Sequence, residues 1–79
     1  MNNFESLIEY IIKDTAEYLI EDFSIDLYTA LRFIYNSDVY ARLSDPETGL
    51  YTQSSAYVYQ LLKAEYRLGK LPQTDEDII

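Results

Sequence analysis

Residues 4–22 read FESLIEYIIKDTAEYLIED, and this stretch decides the fold. Phe4, Leu7, Ile8, Ile11, Ile12, Thr15, Tyr18 and Leu19 recur at the 3.6-residue spacing of a single helix face. Glu5, Glu9, Lys13, Glu17 and Glu21 follow one another four apart on the opposite side. A strand would scatter both sets over its two faces, so the segment is an amphipathic helix of about five turns. Asn2 or Asn3 stands where a cap is needed, and Glu5 falls in the first turn, where the helix dipole favours an anion. Lys13 is within i,i+4 reach of Glu9 and Glu17, at ~0.2–0.5 kcal/mol per pair. Tyr10 and Ile20 fall outside the apolar face.

Working outward, Ser24 is a good N-cap for a second helix, with Asp26 in its first turn. Phe23 then precedes the cap and staples onto Tyr28 at the fourth helical position. Leu27, Ala30, Leu31, Ile34 and Tyr35 repeat at helical spacing until Asn36-Ser37 breaks the pattern. Ser37 caps a short third helix over 38–43, with Val39, Tyr40 and Leu43 as its apolar contacts. Asp45-Pro46-Glu47-Thr48-Gly49 is the clearest turn: Pro fixes φ, Asp bonds back to the backbone, and Gly tolerates positive φ. Leu50-Tyr51-Thr52 reads as a short extended stretch. Ser54 or Ser55 caps a fourth helix that reaches Leu68 and stops at Gly69. The predicted core is Leu7, Ile8, Ile11, Leu19, Leu31, Ile34, Leu43, Val58, Leu61 and Leu62. The expectation is one all-α domain over 1–70, a compact bundle of three main helices and one short one, followed by a frayed acidic tail over 71–79.

Composition narrows the chemistry. Among 79 residues there is no cysteine and no histidine. That removes disulfides, thiolate nucleophiles, Cys-rich zinc sites, the imidazole base and the pH switch near neutrality. No calcium-type loop and no Glu-x-x-His pair is present, so no metal or cofactor is expected, and the chain reads as a non-enzyme. Asp38, Asp45 and Glu47 near the turn read as a polar loop. No apolar run approaches the ~20 residues of a membrane span, and the N-terminus lacks a signal peptide's basic-then-apolar order, so a cytoplasmic location is expected.

The net charge is −8, unevenly spread. Residues 1–31 hold seven acids and one base, whereas residues 50–70 hold three bases and one acid. A field of this sign repels phosphate backbones and favours a basic protein partner. The Glu5/Glu9/Glu17/Glu21 row is therefore one candidate docking face. A second lies on the fourth helix, where Tyr59, Lys63, Tyr66 and Arg67 combine aromatic anchors with the only concentrated cations. A nucleic-acid reader would need Arg, Lys, Asn or Gln on an exposed helix. Arg32 and Arg42 each stand beside acids, and the basic end of the fourth helix is small. Glu65 falls amid Val58, Leu61 and Leu62, so it is either a site carboxylate or one satisfied by a tyrosine, an arginine or a helix N-terminus.

Three motifs stand in order: Phe33-Ile34-Tyr35-Asn36-Ser37, Asp45-Pro46-Glu47-Thr48-Gly49-Leu50-Tyr51, and the run SSAYVYQLLKAEY from Ser54 to Tyr66. Together they resemble a group of short bacterial helical proteins of unknown function, over about residues 19–66. That group carries a Tyr-Asn-Ser break, an acidic Thr-Gly-Leu turn and a Leu-Leu-Lys-x-Glu helix, with Ser-Pro where this chain has Ser54-Ser55. The resemblance implies an accessory or antitoxin-like binding role beside toxin-like genes, and no catalytic residue. The expected function is a protein-interaction module; a homodimer or other homo-oligomer, or a nucleic-acid-associated regulator acting through the fourth helix, is the alternative.

Overall fold

The computed structural model describes residues 3–69. Among them there are four α-helices and no strand: α1 (Asn3–Phe23), α2 (Leu27–Tyr35), α3 (Asp38–Leu43) and α4 (Ser55–Leu68). Two single 3₁₀ turns, Pro46–Thr48 and Leu50–Thr52, join α3 to α4. The all-α bundle expected from periodicity is what forms. Asn3 is the first residue of α1 rather than a demonstrated cap; Asn2 and the tail over 71–79 lie outside the described residues.

α1 organises the rest. Its buried face is Ile8, Ile11, Ile12, Thr15, Ala16 and Leu19. The Thr15 hydroxyl donates to the Ile11 carbonyl at 2.8 Å, so this polar group enters the core satisfied. Leu7, expected in the core, is 43% exposed, and Tyr18 is also exposed. Both lie at the margin of the stripe, and small Ala16 is buried within it. Leu31 and Leu61 are half-buried; the other seven predicted core residues are buried.

α1 and α4 run parallel, side by side. Asp14 meets Ser55, Tyr18 meets Tyr59, and Phe23 meets Tyr66, so the partners ascend together along both helices. At the other end Phe4 stands edge-on to Tyr51, ring centroids 4.8 Å apart. α2 turns back against α1, bringing Leu31 and Tyr35 beside Ala16 and Ile12.

The α1–α2 junction departs from expectation. Asp26, not Ser24, is the N-cap: its Oδ1 accepts from the Thr29 N–H at 2.8 Å. A carboxylate at that position gains from the helix dipole as well as from the hydrogen bond. Ser24 instead closes α1 in the left-handed region, φ 56°, its N–H donating to the Ile20 carbonyl. The shift moves Tyr28 to the second helical position, too early for the staple, and it stays exposed beneath Arg32. Phe23 packs on Tyr66 instead, with centroids 4.4 Å apart.

Ser37 caps α3 as expected, its Oγ accepting from the Tyr40 N–H at 3.0 Å. Leu50–Thr52 is not extended. Gly49 adopts φ 71° and feeds the chain into a second 3₁₀ turn, which buries Leu50. With no strand to pair with, the backbone satisfies itself locally: Thr52 N–H donates to the Gly49 carbonyl and Gln53 N–H to that of Leu50. Ser54 caps α4, and Gly69 ends it at φ 85°.

Candidate functional site

The acids of α1 divide by helical phase into two sets with different fates. Asp14 and Asp22, eight residues apart, face α4. Asp14 accepts from the Ser55 hydroxyl at 2.8 Å and Asp22 from the Tyr59 hydroxyl at 2.5 Å. Lys63 completes this seam, its Nζ 3.8 Å from Asp22. Glu5, Glu9, Glu17 and Glu21 point outward and are exposed. Lys13 makes no ion pair with Glu9 or Glu17; Lys63–Asp22 is the ion pair among the described residues. Two long side chains gain little from pairing in water, so the row stands as separate solvated charges.

Part of this row walls a groove between α1 and α2. One concavity of about 320 Å³ lies over Ile12, Ala16 and Leu31, bounded by Glu9, Lys13 and Glu17 on one side and by Leu27 and Tyr35 on the other. A second, of about 360 Å³, lies over Phe4, Ile8 and Tyr40 with Glu5 and Glu9 at its edge. Glu9, Ile12 and Tyr35 border both, so the two adjoin. Leu27 is 56% exposed and Tyr35 51% exposed, and Tyr35 is propped against the Tyr40 ring at 5.1 Å. Glu21 lines neither concavity.

The α4 candidates are not gathered into a surface. Tyr59 is 6% exposed and contributes its ring to the core and its hydroxyl to Asp22. Burial, and after it the hydrogen bond to the Asp22 carboxylate, hold the Tyr59 phenol above its ordinary value of 10.0. Tyr66 is half-buried between the Phe23 and Phe33 rings, at 4.4 and 5.0 Å. Lys63 is engaged with Asp22, whereas Arg67 is exposed. Lys70 lies outside the described residues.

Glu65 is 5% exposed, and its environment identifies its work. Oε2 accepts from the Asp38 N–H at 2.7 Å and Oε1 from the Val39 N–H at 3.1 Å. The first two unpaired amides of α3 are thus held by α4 and the third by Ser37 Oγ, and the Ala41 N–H begins the ordinary helix ladder on the Ser37 carbonyl. Of the alternatives open in the sequence, the helix N-terminus is the one realised. Glu65 is a structural clamp between α3 and α4, with both oxygens occupied.

Sequence reasoning found the acidic wall and missed the apolar half of the groove. It placed Leu27 and Tyr35 within the packed repeat of α2. The available signal was excess: seven of the nine residues of α2 are apolar, more than one neighbouring helix can cover. Among the described residues no group of three or more acids is close enough to hold a metal ion, and no helix is long and apolar enough to cross a membrane. Searches against family models, curated proteins and solved structures give no match.

Proposed function

We propose that the protein is a non-enzymatic interaction module of the cytoplasm that docks a basic protein partner on its α1/α2 face. The observation that carries this reading is the groove walled by Glu5, Glu9 and Glu17, apolar along its Leu27 and Leu31 half, with Leu27 and Tyr35 standing exposed along it. Exposed aromatic and aliphatic anchors rimmed by charge of one sign are the usual makings of a docking surface. The net charge of −8 adds a long-range field that speeds encounter with a basic surface. The absence of histidine and cysteine, and the occupation of both Glu65 oxygens by backbone amides, argue against acid–base or nucleophilic chemistry. The resemblance of residues 19–66 to short bacterial proteins found beside toxin-like genes points to the same kind of role.

Nucleic-acid binding through α4 is the weaker reading, because Lys63 is spent on Asp22 and Tyr59 is buried. The test is a Glu9→Lys, Glu17→Lys double variant. Once the protein bound in the native host is purified, its association rate is measured over a range of ionic strength. The variant should associate at least tenfold more slowly at low salt and lose most of the salt dependence. An unchanged rate and salt slope would discard the docking face.

A further inference from the structure

We infer that the occupant of the α1/α2 groove is a basic amphipathic helix of the partner, laid along α1 with its apolar face down. This rests on the docking reading above and names the partner's chemistry. The wall from Glu5 to Glu17 spans twelve residues of helix, or about 18 Å, which is the length of roughly three helical turns. Along it lie two adjoining concavities divided at Tyr35, an apolar one toward Leu27 and Leu31 and one of mixed polarity toward Phe4 and Tyr40. Two successive pockets along α1, one against α2 and the other against Tyr35 and Tyr40, fit side chains repeating at i, i+3/i+4 and i+7. The described residues offer no strand edge that an extended segment could join.

The groove is poorly made for a small molecule. Its polar lining is the exposed side chains of Glu5, Glu9, Lys13 and Glu17, together with Tyr35, Tyr40 and Ser44, whose hydroxyl already donates to the Tyr40 carbonyl at 2.9 Å. No buried polar group remains to orient a ligand. Charge selects the partner: three carboxylates against Lys13 call for lysines or arginines flanking the apolar face. A second copy of the chain is disfavoured on the same ground. A symmetric pairing through this face would set each glutamate row against its twin.

The test uses the full chain and defined peptides of fourteen or so residues. The first is helical, with leucines at i, i+3/i+4 and i+7 and flanking lysines. The second keeps the leucines but carries glutamates. The third keeps the lysine content with the leucines dispersed around the helix. Affinities come from fluorescence anisotropy, and the contact surface from amide chemical-shift changes. The first peptide should bind at least tenfold tighter than either control, shifting amides around Ala16, Leu27 and Tyr35. Leu27→Ser, at a position exposed enough to leave folding intact, should weaken it at least fivefold. Equal binding of the first two peptides, equal binding of the first and third, or shifts confined to α4 would each overturn the inference. So would a dimer in sizing chromatography that Leu27→Ser dissolves, since a second copy would then fill the groove. If no peptide binds while Glu9→Lys, Glu17→Lys still slows the native partner, the helical occupant fails and the docking face survives.

Discussion

Glu65 shows how much of a small fold can depend on one side chain. Its carboxylate takes two N–H groups of α3 while its own helix packs on the core, so a single residue closes the α3–α4 contact. Glu65→Ala leaves one buried and one part-buried amide without partners and should cost ~3 kcal/mol, a large part of the stability of a domain this size. Glu65→Gln, which offers one acceptor and one clashing donor, should fall between alanine and the parent. Urea titration of the three proteins checks the order; equal midpoints would mean that α3 is capped without Glu65. Tyr59 gives a pH-dependent counterpart. Its phenol ionises later in the folded chain than the ordinary 10.0. The stabilisation is therefore complete below pH 10 and is lost as pH climbs through the higher folded value. Tyr59→Phe should lower stability by ~1 kcal/mol at neutral pH, modest because Asp22 is partly open to solvent, and should soften the alkaline loss. A tyrosinate absorbance titration should also lack the last group to ionise. An alkaline profile identical to the parent's would contradict the Tyr59–Asp22 bond. Sequence phase alone put Glu65 on the apolar face. Its partners are 26 and 27 residues away, and no local pattern reports them.

At the scale of elements, periodicity located α1, α2 and α4, because an apolar stripe at 3.6-residue spacing has few other uses. The cap at Ser37 was also legible, since the hydroxyl serves its own next turn, and of Ser54 and Ser55, both open in the sequence, Ser54 is the cap of α4. The misreadings occurred where two local solutions competed. Ser24 and Asp26 are both good caps, and the choice between them turns on how α1 ends: the φ of 56° at Ser24 spends that residue on closing α1. The parallel course of α1 and α4 was not legible either, because it is set by the crossing through α3 and the two 3₁₀ turns. The margin of the α1 stripe can be tested directly. Leu62→Ala, at a fully enclosed position, should cost ~2–5 kcal/mol, whereas Leu7→Ala, with much of its surface already in water, should cost under about 1 kcal/mol. Chemical denaturation of both variants is the check. Equal losses would mean that Leu7 belongs to the core and that the phase of α1 is wrong by part of a turn.

At the scale of the whole molecule, the acids of α1 are sorted into two kinds. Those facing α4 are consumed in building the bundle: Asp14 on Ser55, and Asp22 on Tyr59 and Lys63. Of those facing away, Glu5, Glu9 and Glu17 remain unpaired beside the groove that Tyr35 divides, and Glu21 stands apart from it. If the partner docks on this face and not on α4, charge reversal on the two helices has opposite effects, and this is read by capture of the same identified partner by three purified proteins of matched melting temperature: the parent, Glu9→Lys with Glu17→Lys, and Arg67→Glu. Reversing exposed charges should leave each fold within about 0.5 kcal/mol of the parent. The predicted result is that the Glu9/Glu17 variant loses the partner while Arg67→Glu keeps it. Retention by the Glu9/Glu17 variant together with loss by Arg67→Glu would contradict the claim and move the working surface to α4.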